Sequence, residues 1–317
     1  MSEFKLIAGE DPELKHWHGN VGEAVALDLA GPLFRNVTTL DVLSWNLAIG
    51  RARLVELVEK LKAGGFDGEV RRANRPLIIL AQEAYRADNS VPAALASKHH
   101  GGHAPTRARL DIVELAHALG MSLRYAPSMR NGAHRSDRGN AVLSSVGIAH
   151  ARAFPLAHVR QRRVVVSVEL QGLPWLTLVT AHLDTRGRAQ GRSGRYVQAT
   201  RLGEHLLAEW GTDQTLLVGA DFNAYLGQRE PMFRELNRAG LLRVAHEGPS
   251  RHTFHAPGLR MPLDHFLIRE ASDSITSITV TRLDETADDS GRYIFGSDHH
   301  PLLARIEFAP PNRRIKR

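Results

Sequence analysis

A chain of 317 residues, 43% of them hydrophobic, is long enough to bury a sizeable core, which excludes disorder as its main state. It contains no cysteine, so disulfides, thiolate nucleophiles, zinc ribbons and iron–sulfur ligation are excluded together, and any metal site must use oxygen or imidazole. The formal charge of +7 is unevenly spread: Leu123 to Arg201 holds 13 Arg, no Lys and 3 acids, a local +10 suited to bidentate contact with phosphate.

The first twenty residues, MSEFKLIAGEDPELKHWHGN, carry acids and polar groups where a secretory signal needs a basic start and an apolar stretch. No run of 18 apolar residues occurs anywhere, so a cytoplasmic, monomeric protein without a membrane span is expected. Residues 1–38 have weak periodicity and read as an N-terminal extension, 39–309 as a single domain, and 310–317, PPNRRIKR, as a basic tail.

Short apolar, β-rich runs predict strands at Thr39 to Trp45, Pro76 to Ala81, Gly139 to Ser145, Arg163 to Leu170, Trp175 to Ala181, Thr215 to Ala220, His265 to Ile268 and Pro301 to Phe308. Helical periodicity predicts helices at Arg51 to Ala63, Arg107 to Leu119, Arg195 to Trp210 and Glu230 to Ala239. Strands that follow one another directly imply antiparallel pairing and an α+β fold. Between them, ADNSVPAALASKHHGGHAPT at 87–106 places His99, His100 and His103 in a Gly/Pro/Ala loop with no flanking carboxylate.

The informative feature is where the apolar runs stop. Four finish in a carboxylate, amide or imidazole: at Asn46, at Gln82-Glu83, at His182 and at Asp221-Phe222-Asn223. Two later strands reverse the order, with Asp264 just before one and Asp298-His299-His300 just before the other. If those two run antiparallel to the four, all these groups meet at one rim of a β-sandwich. Several carboxylates at one rim repel one another unless a cation or histidine sits among them. Asp and Glu oxygens with an Asn carbonyl suit a hard divalent ion, Mg²⁺ or Mn²⁺, rather than zinc.

As a set, LSWNLAIG around Asn46, AQEAYR around Glu83, RGNAVLSS, TAHLDT around His182, LLVGADFNAYLG, PLDHFLI and GSDHHPLLARI resemble the endonuclease/exonuclease/phosphatase superfamily, the DNase I-like fold. The resemblance runs from about residue 40 to 308 and implies a four-layer αββα sandwich of two mostly antiparallel sheets, with metal-dependent hydrolysis of a phosphoester at one sheet edge. It implies metal ligation by Glu83, with Asn46 and Asp298 as ligands or water-bridged partners. It further implies an Asp264–His299 pair acting on the phosphate or the attacking water, and phosphate contacts from His182 and Asn223. Asp221 would position or deprotonate water, or protonate the leaving oxygen, and the choice of base between His299 and Asp221 stays open.

The segment before Asp264 lacks the Trp-Cys-Asp-Arg type signature of inositol polyphosphate 5-phosphatases, which disfavours that branch. The loop DTRGRAQGRSG after His182 is expected to hang Arg186, Arg188 and Arg192 over the site as substrate contacts, with Tyr85 as a stacking platform. The substrate expected is DNA or RNA; the alternative is a phosphatase or phospholipid-headgroup phosphodiesterase using the same metal chemistry.

Overall fold

The computed structural model describes residues 4, 12–30, 37–66, 75–93, 101–102, 109–185, 188–189, 191–247, 251–285 and 294–309. His99, His100, His103, Arg186 and the basic tail lie outside the described residues.

Two large sheets stack face to face. The first runs, in spatial order, Val25–Leu27, Ser122–Asn131, Asp137–Ser144, Leu77–Arg86, Thr39–Asn46, Leu302–Phe308, Ile275–Arg282 and His246–Glu247. The second runs Leu242–Val244, Asp264–Arg269, Thr215–Asp221, Leu173–His182, Val164–Leu170 and Ile148–Pro155. Each is built around one parallel pair, Thr39–Asn46 beside Leu77–Arg86 in the first and Leu173–His182 beside Thr215–Asp221 in the second. Leu302–Phe308 and Asp264–Arg269 then pair antiparallel to these centres. The C-terminal ends of four strands and the N-terminal ends of two therefore meet at one rim.

Strand alternation sorts the apolar residues into three layers of core. Leu40, Val42, Ile78 and Leu80 face Val166, Leu178, Leu217 and Phe266 between the sheets. Leu43, Trp45, Ile79 and Ala81 point outward beneath the helices Leu54–Lys62 and Ile112–Leu119. Val179, Ala181, Val218 and Ala220 point outward beneath Gly194–Trp210 and toward Met232, Phe233 and Leu236 of Met232–Arg238. The result is a four-layer αββα sandwich. The sheets approach closely at Gly219, where an added Cβ would lie 2.8 Å from both Leu80 Cδ1 and Ser44 Cβ and 2.7 Å from Phe266 Cε1.

Several elements differ from the sequence reading for identifiable reasons. The helix predicted from Arg51 begins at Leu54, because Ala48, Ile49 and Gly50 take positive φ (49°, 57° and 69°) in a left-handed turn directly after Asn46. The helix predicted from Arg107 begins at Ile112, where the Asp111 carboxylate accepts the Val113 backbone N–H at 2.8 Å as N-cap. Ser122–Asn131, Ile148–Pro155 and Ile275–Arg282 are strands without a clean apolar run. Val25–Leu27, inside the stretch read as an extension, joins the edge of the first sheet by pairing with Ser122–Asn131.

Candidate active site

Register brings three of the predicted residues side by side. Asp221 is the cross-strand partner of His182 on one flank and of Asp264 on the other. Beneath them Gln82 is fully buried between the sheets, its amide nitrogen 3.0 Å from both Leu80 O of the first and Thr180 Oγ1 of the second. One residue later the strand does not stop as the sequence suggested. It continues to Arg86 through a bulge between Ala81 and Ala84, and Glu83 takes φ 49° there. The bulge turns Glu83 to the rim while the strand runs on, a recurrent use of bulges beside active sites.

The rim encloses a cleft of about 350 Å³ whose lining includes Asn46, Glu83, His182, Asp221, Asn223, Asp298 and His299. Five non-glycine residues among those described have positive φ, and four of them, Ala48, Ile49, Glu83 and Asn223, line this cleft. Such conformations cost about 1–3 kcal/mol each and persist where the surrounding fold imposes them, which is characteristic of functional sites.

Asp221 is the hub. Asn46 Nδ2 donates to its Oδ2 at 2.9 Å and the Asn223 backbone N–H to its Oδ1 at 2.9 Å. His182 Nε2 stands 3.4 Å and His299 Nε2 3.9 Å from Oδ2. Burial, then the nearby charge of Asp264, pushes the Asp221 carboxyl up to about 7. His299 is bonded through Nδ1 to Asp264 Oδ2 at 2.8 Å. Burial disfavours its charged form, but Asp264 and Asp221 overcome that and raise it to about 10. Its place is set by neighbours: Trp45 Nε1 donates to the His299 carbonyl at 2.8 Å, Ser297 Oγ accepts its backbone N–H at 3.0 Å, and Phe254 packs edge-on with ring centroids 5.0 Å apart.

His182 is the opposite case. Arg163 Nη1 lies 3.0 Å from His182 Nδ1, and a guanidinium can only donate, so Nδ1 accepts and the ring proton sits on Nε2. Burial first, then the Arg163 charge, hold His182 well below its ordinary value. It is a neutral donor.

Two sets of groups could hold a cation. Asp221, Asp264 and His299 offer atoms within 4.8 Å of one another, all buried. Both Asp221 oxygens, Asp264 Oδ2 and His299 Nδ1, however, are already joined in the bonds just described. Glu83, Asp298 and Asn46 form the other set. No described side chain bonds the Glu83 carboxylate, and Asp298 is about one-third exposed, with Arg51 Nη2 at 3.7 Å. Asn46 Oδ1 accepts the Ala48 N–H at 3.0 Å and retains a second lone pair. This all-oxygen, under-partnered set fits a hard divalent ion.

The remaining predicted contacts lie elsewhere. Arg192 covers the Tyr196 ring at 4.6 Å and is not among the cleft's lining residues; of Arg188 only the backbone, paired with Ser193, is described. Tyr85 packs its Cβ beside Gly50 and does not line the cleft. The arginines that do line it, Arg51 and Arg109, were missed, as were Thr185 and Phe254, whereas Tyr225, close in sequence to Asn223, lines it as an aromatic platform. Arg51 had a signal in its place immediately after the turn that follows Asn46. Arg109 had none.

A two-sheet sandwich with acids, amides and histidines gathered at one rim is the architecture of a phosphoester hydrolase. The chain belongs to the Endonuclease/Exonuclease/phosphatase family, whose model matches residues 43–299, and it is an enzyme of that class, which depends on a divalent metal. Among solved structures, the human Nocturnin catalytic domain with bound sulfate is similar at 16% identity and TM-score 0.54, covering 91% of this chain and 98% of that one. A family protein from Leptotrichia buccalis is similar at 14% identity and TM-score 0.56, over 85% of this chain and 100% of that one. The 3' phosphatase NExo from Neisseria, bound to product DNA hairpin, is similar at 15% identity and TM-score 0.50, over 85% and 99%. No curated protein matches the sequence. Among the described residues no helix is long and apolar enough to cross a membrane.

Proposed function

We propose that this enzyme is a Mg²⁺- or Mn²⁺-dependent phosphodiesterase acting on nucleic acid. The observation that carries this reading is the charge layout of the cleft. Glu83, whose carboxylate no described side chain bonds although the Arg163 charge acts on it, and a half-open Asp298 are set for a cation, while Arg51 and Arg109 stand on the same lining for an anion. The Neisseria 3' phosphatase, bound to a DNA product, supports nucleic acid as the substrate class.

Glu83 and Asp298, with Asn46 beside them, would hold the ion, which when bound supplies Lewis-acid stabilisation of charge on the phosphoryl oxygens. Hydrolysis requires one proton to leave the attacking water and one to reach the leaving oxygen, as one O–P bond forms and one breaks. Asp221, at about 7, is the group poised to exchange a proton near neutral pH. His299, held protonated by Asp264, brings positive charge to the phosphate rather than serving as the base. His182 donates through Nε2–H, and Arg163 fixes that tautomer. Acid–base help supplies roughly 10²- to 10⁴-fold, so positioning and charge must supply the rest.

The test is hydrolysis with Mg²⁺, Mn²⁺ or EDTA of plasmid DNA, single-stranded RNA, bis-p-nitrophenyl phosphate, sphingomyelin and inositol phosphates, with Glu83→Gln as control. EDTA-sensitive cutting of DNA or RNA is expected. Cleavage confined to lipid or inositol substrates would overturn the substrate while leaving the metal chemistry.

A further inference from the structure

A second cavity, of about 450 Å³, opens beside the catalytic cleft. Three arginines line it: Arg229 from the turn after Tyr225, Arg243 on the edge strand Leu242–Val244, and Arg251 from the loop that follows. No Asp or Glu is among its lining residues, and none of the three guanidiniums has a hydrogen bond or ion pair among the described residues. Burial first, and then the Arg251 charge, lower the Arg243 pKa, so like charges are brought near one another without a carboxylate among the lining residues. The floor adds no compensating charge. His265 is buried, its Nε2 donates to Pro262 O at 2.9 Å, and burial together with Arg243 keeps the ring neutral. Like charges gathered around open space without counterions are costly unless an anion enters.

The two cavities share a wall. Tyr225 lines the catalytic cleft and the next residue, Leu226, lines the basic cavity. Likewise Met261 and Leu263 line the cleft while Pro262, between them, lines the basic cavity. Asp264, which bonds the catalytic-cleft histidine His299, and His265, the floor of the second cavity, are also consecutive. A polymer whose scissile phosphate sits in the cleft would pass these shared segments on its way to the arginines.

We propose that the cavity walled by Arg229, Arg243 and Arg251 is a second phosphate-binding site, which holds a non-scissile backbone phosphate of the nucleic acid being cut. This rests on the nucleic-acid reading above. It differs from a general electrostatic attraction because the anion is bound at a defined place, one wall away from the chemistry, so affinity and the rate constant of the chemical step separate.

The experiment compares wild type, the Arg229→Gln/Arg251→Gln double variant, whose two side chains are exposed, and the Arg243→Gln single variant. Each is assayed with a fluorescent single-stranded oligonucleotide and with bis-p-nitrophenyl phosphate, across salt concentration. The site predicts that KM for the oligonucleotide rises about tenfold more than KM for the small diester, with kcat on the oligonucleotide within about twofold. The salt slope of log KM should shrink by about 0.7 to 1 for each arginine–phosphate interaction removed. Equal effects on both substrates, or none on the oligonucleotide, overturn the site while the nuclease reading stands. Wild type that hydrolyses bis-p-nitrophenyl phosphate but no nucleic acid overturns the reading and the site with it. Inorganic phosphate followed by calorimetry distinguishes the other source of the same chemistry: if the variants lose phosphate binding yet keep the oligonucleotide KM, the cavity takes free phosphate and the proposal falls.

Discussion

Glu83 and Asp221 are acids on the same cleft, one on each sheet, and their surroundings are opposites. Asp221 is buried among four polar groups, two bonded to it at 2.9 Å and two histidines at 3.4 and 3.9 Å. Glu83 sits on a bulge at φ 49° with no described side chain bonded to it. The first sheet thus presents a carboxylate whose partner must come from outside, and the second presents one whose protonation is set by the protein itself. A cleft that both binds a cation and moves a proton needs this division, because one carboxylate in one environment cannot be both fully ionised and half protonated at neutral pH.

The sharpest way to break the comparison is to exchange the two roles by mutation. Glu83→Gln removes the ion's main carboxylate and should lower kcat/KM by about 10³-fold or more, with little change in the melting temperature of the metal-free protein. Added Mg²⁺ should raise the melting temperature of wild type and not of Glu83→Gln; equal stabilisation of both would move the ion to the Asp221, Asp264 and His299 cluster. Next in size, Asp264→Asn keeps a side chain of the same shape beside His299 but loses the charge. It should cost about 10²- to 10⁴-fold in kcat and shift the pH–rate profile as His299 loses its proton at lower pH; an unchanged profile would detach the pair from the chemistry.

How much of this was legible in the sequence depends on which half is considered. Polar residues ending apolar runs gave away Asn46, His182, Asp221 and Asn223, because a buried strand can carry a polar group cheaply only where it leaves the core. The stacking of two sheets came from the resemblance to the endonuclease/exonuclease/phosphatase superfamily. Glu83 was found for an incomplete reason, since a bulge looks in sequence like the end of a strand. Arg163 was read only as the start of a strand, and Arg51 and Arg109 reach the cleft from a turn and a loop whose course no periodicity encodes. Thr253 was invisible for the same reason: its Oγ1 accepts the Asp264 N–H at 2.9 Å from eleven residues upstream. Of the Arg-rich loop, only the Arg192 side chain is described, and it lies on Tyr196.

Arg163 offers a smaller, more selective perturbation of the second-sheet half. Burial does most to keep His182 neutral and the Arg163 charge adds to it, so Arg163→Gln should let His182 gain a proton at somewhat higher pH than in wild type. A loss of about tenfold in kcat at neutral pH, deepening toward acid, is expected. A loss of the same size at every pH would mean that Arg163 serves only packing.

Stability against pH tests the same half without substrate. Asp221 is raised to about 7 in the folded protein, so between its ordinary value near 4 and 7 the native state holds the extra proton, and stability falls as pH rises. His299, raised to about 10, contributes stability that is complete below about 6.5 and is lost as pH rises through 10. Both groups therefore act in one direction, opposite to His182 and His265, whose lowered values make stability rise as pH climbs to about 6.5, so the quantity to follow is the pH dependence of the difference in melting temperature between wild type and variant in the metal-free protein. Asp221→Asn should remove the loss between about pH 4 and 7 and lessen the upper loss as well, because the Asp221 charge helps to raise His299. A pH profile that Asp221→Asn does not alter would contradict the assignment of the proton to these buried groups.

The smallest expected effect separates the cleft's arginines from the loop's. Arg51 lines the cleft and lies 3.7 Å from Asp298, so Arg51→Gln should raise KM for an oligonucleotide several-fold. Arg192 is exposed and stacks on the half-buried Tyr196, and Arg192→Gln should change KM by less than about twofold, as is usual for a surface charge. Should Arg192 prove the more costly of the two, the loop after His182 would have to close over the cleft when substrate binds, and the charge layout of the cleft would be incomplete without it.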